Sequence, residues 1–341
     1  MERTILHVVK WFPHTSDIHH GVFIQKHIKS ISEESHVLGF IDAEFPKIQQ
    51  SNQCIYGANK MGLLEKIQIF RSTLIRLKPE IVHFHSYGQD LWIFQKLAAL
   101  KNIPTIHSAH WSGLLGDNHY RLTRFQRWFL RNYLHSVKLV LPVSTVLQTG
   151  ILDIAPKTLC KVVPNIISEI SLEGDIVQGG KSICVVGSIV FDIKRQDLIL
   201  NAFRKAKMPN IELHFYGGGP DLEALKEQSL DDPNVFVHGR IPNEEVLQRL
   251  PNHHTHIQFS AYETFGIAAL EARKAGLWSI SRSHFGASDF KDDQTLFAEN
   301  EQELVETMQF ALSSPPAKPN EYPMLHSCIV RNEILQAYKA I

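Results

Sequence analysis

Short runs of apolar and β-branched residues recur along the chain, and longer helix-forming stretches separate them. The first series of runs consists of TILHVVKWF, SHVLGFI, EIVHFHS, IPTIHSAH, VKLVLPVS and KVVPN. A second series begins at Lys181 and consists of KSICVVGS, IELHFYGGG, NVFVHGR, THIQFS and WSISRS. Several runs are apolar at nearly every position, which is typical of strands covered on both faces of a parallel sheet. The alternation of strands and helices predicts an α/β fold with two doubly wound sheets.

The two series are separated by SEISLEGDIVQGG, residues 168–180. This segment is polar and acidic and ends in Gly-Gly, a composition typical of a linker. The chain has 341 residues, of which 44% are hydrophobic, and is therefore long enough for two cores. We predict two Rossmann-like domains that face each other across a cleft, residues 1–167 and residues 181–323. We expect residues 324–341 to form a C-terminal helix that packs back on the first domain.

Composition narrows the class of protein. Lysine and arginine together number 35, as do aspartate and glutamate, so the net charge gives no sign of a nucleic-acid partner. The 19 histidines make that charge sensitive to mildly acid pH. The four cysteines are widely spaced and form no zinc motif, which favours free thiols over disulfides. The amino end, MERTILHVVKWF, has no signal-peptide core, and no apolar run approaches the length of a membrane span, so we expect a cytoplasmic protein.

The stretch SAYETFGIAALEARKAG places Glu263 and Glu271 eight residues apart, after the strand-like run THIQFS and at the start of a helix. The N–H groups of the first helical turn, from Thr264 to Ile267, and the positive end of the helix dipole can bind an anion such as a diphosphate. Glu271 leans back toward the same ligand and can accept hydrogen bonds from a vicinal diol. The structural alternative is that Glu263 caps its own helix and Glu271 pairs with Lys274.

The segment ETFGIAALEA resembles the E-x7-E signature of the retaining GT-B glycosyltransferases of family 4, the glycosyl transferases group 1. Four further segments resemble parts of that family in the same order, namely VVPNI, VVGSIVFDIKRQDLILNAF, LHFYGGGPDLEALKE and NVFVHGRIPNEEV. The resemblance implies a carboxyl-terminal domain that binds a nucleotide sugar and an amino-terminal domain that binds the acceptor. It also implies that catalysis needs no cofactor and no protein-bound metal.

The resemblance assigns roles to three charged residues. Lys194 matches the catalytic lysine on the diphosphate, Glu263 the catalytic group at the transferred sugar, and Glu271 the carboxylate at the ribose. An ammonium suits the first role because it neutralises the charge that builds on the leaving group. The family commonly has an arginine where this chain has Ser188, so either Arg195 supplies the second cation or phosphate binding is weaker. The other donor-binding positions that the resemblance implies are Gly21, Gly187, Gly217, Gly218, Arg240, Ile241, Thr264, Phe265, Gly266 and Ile267.

Histidines in the amino-terminal half are the candidates for the sugar and the acceptor. His107, in IPTIHSAHWSG, matches a catalytic histidine that in this family faces the donor sugar. An imidazole can orient a sugar hydroxyl, and the alternative is a strand-end histidine satisfied by backbone. His83 and His85 alternate along one strand, so they either line the acceptor side of the cleft with His110 or are simply packed. No third ligand is evident beside them, which argues against a zinc site.

The segment HYRLTRFQRWFLRNYLHSVK, residues 119–138, carries a different chemistry. Read as a helix, it places Arg121, Arg124, Arg127 and Arg131 along one stripe, interleaved with large aromatic residues. A basic amphipathic helix of this kind suits an anionic membrane surface. The alternative is a helix packed on the sheet with a solvated arginine face. The membrane interpretation predicts peripheral contact at the inner face of the membrane.

These observations predict transfer of a hexose or related sugar from a nucleotide diphosphate sugar to a glycan or lipid-linked acceptor in surface polysaccharide synthesis. In front-face attack with retention, the leaving diphosphate helps to deprotonate the acceptor hydroxyl, which would explain why no carboxylate is placed as a glycosidase-type base. Two alternatives remain open. A nucleotide-sugar epimerase shares the GT-B layout, and a catalytically silent binding subunit would account for Ser188 and for the single glycine, Gly21, in the first loop.

Overall fold

Two sheets of mostly parallel strands, each with helices packed on it, form the computed structural model of this chain. The described residues are 3–14, 17, 20–31, 34–41, 49–50, 53–57, 61–115, 122–170 and 181–341. The chain divides into a first unit, Met1–Ile166 with Met324–Ile341, and a second unit, Ile167–Pro323. Of the predicted linker, residues 171–180 lie outside the described residues and residues 168–170 belong to the second unit. The predicted α/β class with two Rossmann-like sheets is confirmed.

The elements are numbered in chain order. The strands of the first unit are β1 (Thr4–Val9), β2 (Glu34–Ile41), β3 (Gln49–Gln50), β4 (Gln53–Gly57), β5 (Ile81–Phe84), β6 (Thr105–Ala109) and β7 (Leu139–Pro142). Its helices before the second unit are α1 (Val22–Ser30), α2 (Leu63–Leu77), α3 (Gln89–Ala99), α4 (Arg124–Ser136) and α5 (Thr145–Ile154).

The second unit continues the numbering. Its strands are β8 (Ser182–Val186), β9 (Glu212–Tyr216), β10 (Val235–Gly239), β11 (Thr255–Gln258), β12 (Trp278–Ser281) and β13 (Thr295–Phe297). Its helices are α6 (Phe191–Lys194), α7 (Gln196–Ala206), α8 (Leu222–Gln228), α9 (Asn243–Arg249), α10 (Ile267–Lys274) and α11 (Glu301–Ser313), and the chain ends with α12 (Ser327–Lys339).

Each sheet has one place where the strand order reverses. The first sheet has the order β3-β4-β2-β1-β5-β6-β7 and is parallel except for β3. The second has the order β10-β9-β8-β11-β12-β13 and is parallel throughout, which is the strand order of a Rossmann sheet. The reversals lie between β1 and β5 and between β8 and β11. Doubly wound sheets bind ligands outside the carboxyl ends of the strands at such reversals.

The C-terminal helix α12 belongs to the core of the first unit. Val330 and Ile334 are fully buried in one apolar cluster with Ile81 of the neighbouring strand. The hydroxyl of Tyr338 forms a 2.8 Å hydrogen bond with Nδ1 of His83. Burial of apolar surface holds this helix in place, since a fully buried Val or Ile side chain contributes roughly 1.5–3 kcal/mol.

Two features of the strand prediction need correction. KVVPN does not form a strand: Lys161 N and Val163 N donate to Val140 and Pro142 of β7, but Pro142 has no N–H with which to donate back and is the last residue of β7. The strands β3, β4 and β13 were not predicted; β3 and β13 have only two and three residues, which give too little alternation to recognise.

Candidate active site

The loops after β8 and β9 touch at the strand reversal of the second sheet, and glycines allow this contact. Gly187 has a φ of +147° and donates its N–H to the carbonyl of Tyr216 at 3.0 Å. A Cβ on Gly217 would lie 1.8 Å from the carbonyl oxygen of Gly187, so only glycine fits there. A Cβ on Gly218 would lie 3.2 Å from the Cβ of Arg240. The structure thus brings these four predicted donor-binding positions together, on a surface where the main chains of neighbouring loops lie in close contact.

Lys194 and Glu263 form an ion pair at the same strand reversal. Lys194 ends the short helix after β8, Glu263 follows β11, and their Nζ and Oε2 atoms are 2.7 Å apart. The N–H of Phe265 donates to Glu263 Oε1 at 3.3 Å. Burial opposes ionisation of Glu263, but Lys194 and the N–H groups of Phe265 and Gly266 outweigh it and hold the pKa of Glu263 below its ordinary value of 4.5. Glu263 is therefore an anion at neutral pH and is held in one orientation.

Gln258 is a contact that the sequence analysis missed. Its amide Nε2 donates to Glu263 Oε2 at 2.6 Å, the same oxygen that Lys194 contacts. Its place as the last residue of β11 was the available signal, because polar side chains at the carboxyl ends of parallel strands point toward the ligand edge.

Helix α10 begins at a glycine and presents a buried carboxylate on its second turn. Gly266 precedes the helix with a φ of +88°, a conformation that favours glycine. Glu271 is 6% exposed and accepts a 3.1 Å hydrogen bond from the N–H of Ser168. Lys274 pairs with Glu169 at 2.5 Å. The structural alternative in which Lys274 pairs with Glu271 is therefore wrong.

The remaining predicted donor positions differ in exposure. Arg195 has a φ of +56°, joins α6 to α7 and is half-buried. Ser188 is exposed, and its carbonyl accepts from Nε2 of Gln196 at 2.9 Å. Arg240 is exposed, and Ile241 is half-buried against an apolar cluster. Thr264 and Ile267 are half-buried, and Phe265 is buried.

His107 lies within β6 of the first unit and is 1% exposed. Its Nδ1 forms a 2.9 Å hydrogen bond with the hydroxyl of Tyr133 on α4. Burial lowers the pKa of His107 to about 3, so the imidazole is neutral at neutral pH. The Nδ1 partner is thus a side chain and not the backbone group that the structural alternative had supposed.

His83 and His85 lie inside the first unit. His83 bonds to Tyr338 through Nδ1 and to Ser108 through Nε2, both at 2.8 Å. His85 Nε2 bonds to Nδ1 of His7 at 2.9 Å. Both are 0% exposed, so of the two interpretations of this pair the packed one describes the structure. Neither side chain lines a surface.

His7, His83 and His85 are the one metal-binding candidate group in the described part of the chain, with ligand atoms within 4.8 Å of one another. Five of their six ring nitrogens already bond to one another or to serine and tyrosine hydroxyls, so most of the group is satisfied without an ion. His110, at the end of the neighbouring strand, is 6% exposed, and neither of its ring nitrogens has a hydrogen-bond partner among the described residues. That no metal takes part stays a prediction.

Gly21 opens α1 in the loop after β1. Its φ is +69°, and a Cβ there would lie 2.5 Å from the carbonyl carbon of Trp11. Only glycine allows the start of this helix to rest directly on the backbone of Trp11.

Helix α4 covers most of the predicted basic segment, while residues 119–121, with Arg121, lie outside the described residues. A capping box starts the helix: Thr123 Oγ1 accepts from the N–H of Gln126, and Gln126 Oε1 accepts from the N–H of Thr123. Leu130 and Leu134 on its inner face are fully buried. The described part of the segment is therefore a regular helix docked on the first unit.

The outer face of α4 carries both arginines and uncovered aromatic rings. Phe125 is 66% exposed and Trp128 is 53% exposed, and the two rings stack at 6.3 Å. Arg124, Arg127 and Arg131 are exposed on the same helix. Large apolar side chains this exposed beside cations are the arrangement found on helices that lie in a membrane interface. No helix among the described residues combines the length and the apolar character needed to cross a bilayer.

Comparisons with known proteins agree with this geometry. The chain is 26% identical over 262 residues to the gpi3 subunit of phosphatidylinositol N-acetylglucosaminyltransferase of Schizosaccharomyces pombe, a match that covers 72% of this chain and 56% of that protein. The chain thus spans little more than half the length of this curated relative.

Two solved structures share the fold. HepE of Anabaena, in complex with UDP and glucose, matches with a TM-score of 0.75 and 13% identity over 100% of both chains. Sucrose-phosphate synthase of Thermosynechococcus elongatus matches with a TM-score of 0.74 and 14% identity over 99% of this chain and 96% of that one.

Two family models match consecutive parts of the chain. Glycosyltransferase Family 4 matches residues 42–169, and Glycosyl transferases group 1 matches residues 168–324. The second match contains every charged residue of the site around Lys194 and Glu263. The resemblance noted in the sequence is confirmed, and this chain belongs to the group 1 glycosyltransferases of GT-B architecture.

Proposed function

We propose that this glycosyltransferase takes its sugar from a nucleotide diphosphate sugar and transfers it, with retention, to a glycan or lipid-linked acceptor in surface polysaccharide synthesis. The observation that carries the proposal is the Lys194–Glu263 ion pair at the strand reversal of the second sheet. It stands beside a backbone surface formed by Gly187 and Gly217, where the absence of side chains lets a diphosphate approach the main chain closely.

Lys194 can release the carboxylate of Glu263 and bind a diphosphate in its place. In the structure its ammonium is held by Glu263, and its side chain is 26% exposed, so a ligand can reach it. A diphosphate offers more negative charge than one carboxylate and can take the ammonium over, which leaves Glu263 to accept hydrogen bonds from the sugar. Lys194 then stabilises the charge of the leaving diphosphate as the glycosidic bond breaks.

Arg195 is the second cation of the proposed site. Burial and the neighbouring positive charge of Arg282 lower the pKa of Arg195, as expected where like charges lie close together. An anion bound between them would relieve this repulsion. Arg195 can in this way supply the charge that the family commonly has at the position of Ser188.

Glu271 supports the proposed nucleoside site. Its buried carboxylate holds the N–H of Ser168 and sits on the first helix after the ion pair. A ribose diol would use its remaining acceptor positions. His107, which the resemblance matches to a histidine near the donor sugar, is proposed to orient a sugar hydroxyl as a neutral imidazole.

The outer face of α4 favours a lipid-linked acceptor. Three exposed arginines and the rings of Phe125 and Trp128 would hold the first unit on an anionic membrane surface. The name of the gpi3 relative describes transfer to phosphatidylinositol, an acceptor of this chemical class. That relative is named as a subunit, so a partner chain is part of the proposal.

Calorimetry with UDP, GDP and ADP tests the donor site. Lys194→Ala should weaken diphosphate binding and Glu271→Ala should weaken nucleoside binding, each by about 1–3 kcal/mol for the loss of a charged hydrogen bond. Lys205→Ala is the matched control, because Lys205 forms a similar ion pair with Glu301 on the same unit. If both site variants bind the best nucleotide as wild type does, the site is misassigned.

Incubation of the protein with the corresponding nucleotide sugars separates the enzyme classes. A transferase releases nucleotide and forms glycoside or free sugar, an epimerase changes the sugar without releasing nucleotide, and a silent subunit consumes none. Release of nucleotide that Lys194→Ala abolishes is the expected result.

A further inference from the structure

A cavity of about 470 Å³ lies in the first unit at a place to which no role has yet been given. Trp11 follows β1, Tyr87 follows β5 and Trp111 follows β6, so three aromatic residues project from the carboxyl ends of three adjacent strands. The residues that line the cavity are Trp11, Tyr87, Gly88, Gln89, Trp111, Leu122 and Gln126. The cavity sits at the reversal between β1 and β5, where a doubly wound sheet binds its ligand.

The aromatic side chains are held in place before any ligand binds. The rings of Tyr87 and Trp111 stack at 4.9 Å with an interplanar angle of 13°. A Cβ on Gly113 would lie 2.2 Å from the indole of Trp111, so the main chain supports that ring directly. The start of α1 at Gly21 rests on the backbone of Trp11 in the same way. A rigid aromatic surface loses little entropy when a ligand binds to it.

Among the residues that the structure describes, the lining of the cavity carries no charged side chain. Two lysines, Lys10 and Lys66, lie behind Gly88 and share the carboxylate of Asp90 at 2.5 and 3.8 Å, and a Cβ on Gly88 would meet Lys10 Nζ at 1.9 Å. Both ammonium groups are thus held by Asp90 and neither belongs to the lining itself. The polar side-chain groups of this lining are the amides of Gln89 and Gln126, the hydroxyl of Tyr87 and the indole N–H groups of Trp11 and Trp111.

Gln126 is oriented by the capping box of α4. Its Oε1 accepts from the N–H and the hydroxyl of Thr123 at 2.9 and 3.1 Å. This fixes which end of the amide is the oxygen and leaves its NH₂ group without a partner among the described residues, as a donor for a ligand oxygen. Aromatic faces beside neutral amide groups match a pyranose ring, which has an apolar C–H face and hydroxyls around its edge.

We propose that this cavity binds the terminal pyranose of the acceptor, so that the acceptor presents a neutral sugar ring and not a bare lipid headgroup to the enzyme. The inference deepens the proposed function and rests on it, because only the proposed function identifies the bound sugar as the acceptor. The binding site itself rests only on the first unit. A ring stacked on Tyr87 or Trp111 would be positioned at the carboxyl edge of the first sheet, with its hydroxyls toward Gln89 and Gln126.

Saturation-transfer-difference NMR with the methyl glycosides of glucose, galactose, mannose and N-acetylglucosamine tests the cavity without donor or turnover. At least one glycoside should show saturation of its ring C–H protons with wild-type protein. Trp111→Leu and Tyr87→Ala should each weaken this binding roughly tenfold, and Tyr87→Phe, which keeps the ring, should restore it. Trp92→Phe is the matched control, because Trp92 packs on Phe129 and does not line the cavity.

Octyl glucoside at a concentration below its micelle threshold separates a sugar site from a lipid-chain site. Saturation of the ring protons supports the proposal, whereas saturation confined to the octyl protons would overturn it in favour of an acyl chain. Absence of any glycoside signal, or a signal that survives Trp111→Leu unchanged, would also overturn it. Nucleotide calorimetry on the same variants should match wild type, so that loss of the sugar site and failure of the proposed donor site are read separately.

Discussion

Side chains that meet in the second unit show how far a sequence can specify a site. Lys194 and Glu263 are 69 residues apart in the chain, and the family resemblance placed both on the donor. The structure joins them at 2.7 Å. Gln258 completes the contact and was missed, because a sequence pattern does not show that its amide meets the carboxylate of Glu263.

The aromatic residues of the first unit show the opposite case. Trp11, Tyr87 and Trp111 form no motif, since each follows a different strand. They meet because β1, β5 and β6 are neighbours in the sheet, and strand order is a property of the whole unit. A loop-by-loop interpretation of the sequence could not have joined them.

His107 is expected to act on turnover and not on nucleotide affinity. Apart from Gly21, the proposed nucleotide contacts come from the second unit, whereas His107 belongs to the first. His107→Ala should therefore lower kcat by roughly 10²-fold, the scale of a positioned polar or acid-base group, and should leave the calorimetric Kd for nucleotide nearly unchanged. Steady-state kinetics with the identified donor and acceptor measure this.

The buried hydrogen bond of His107 calls for a second variant. Tyr133→Phe removes the hydroxyl that holds His107 Nδ1 and keeps the imidazole. If His107 positions sugar, this change should reduce kcat less than His107→Ala does at a similar loss of thermal stability. Equal kcat losses that track Tm in both variants would show that His107 has only a structural role.

Among the elements, helix α4 carries the clearest surface prediction. Replacement of Arg124, Arg127 and Arg131 with glutamine should reduce sedimentation of the protein with anionic liposomes. Each charge removed near the surface should cost roughly 1 kcal/mol of membrane-binding free energy. Added salt should reduce wild-type binding in the same direction, because exposed charges are screened. The matched control changes three exposed cations elsewhere on the first unit, Arg71, Lys101 and Lys157, to glutamine.

Two results would contradict a membrane role for α4. Wild-type protein could fail to sediment with anionic liposomes, or the control triple variant could lose as much binding as the α4 variant. The second result would mean that net charge, and not this helix, drives association.

The sequence predicted strands correctly where apolar runs were long. It failed where the hydrogen bonds of the neighbouring strand determine whether a strand forms. The runs that became β1, β5 and β8 are nearly continuous in apolar residues and are covered on both faces. KVVPN also contains apolar β-branched residues, but it donates only two main-chain bonds to β7, where Pro142 has no N–H to donate back. Composition suggests a strand, and hydrogen-bond donors decide how far it extends.

Several histidines of this protein are buried in the interior of the first unit. Within the described residues, six histidines of the first unit are buried and have lowered pKa values, with burial as the first cause: His7, His27, His83, His85, His107 and His110. The pKa of His7 falls to about 3 and that of His27 to about 4. The composition suggested a net charge that responds to mild acid, but these six rings stay neutral as long as the first unit is folded.

Stability of the first unit should therefore fall as the pH drops below 6.5. The unfolded chain takes up a proton at each of these histidines near pH 6.5, whereas burial holds the pKa of all six below that value in the folded chain, at about 3 for His7 and His107 and about 4 for His27, so protons favour unfolding below pH 6.5. Each such histidine contributes roughly 1.4 kcal/mol per pH unit, and several together approach the 5–15 kcal/mol that stabilises a typical domain. Urea unfolding followed by tryptophan fluorescence measures the effect, because four of the five tryptophans lie in the first unit.

The variant His110→Phe tests whether a buried histidine causes this pH dependence. His110 has no hydrogen-bond partner for either ring nitrogen among the described residues, and its ring lies against Phe23 and His85, so phenylalanine removes a proton site without breaking a described bond. The variant should unfold at nearly the wild-type urea concentration at pH 7.5 and at a higher concentration than wild type at pH 5.5. His135→Gln, at an exposed position, should leave both midpoints unchanged. A wild-type midpoint that does not move between pH 7.5 and 5.5, or a His110→Phe variant that loses the same stability at both, would show that burial of these histidines does not govern the acid response of the fold.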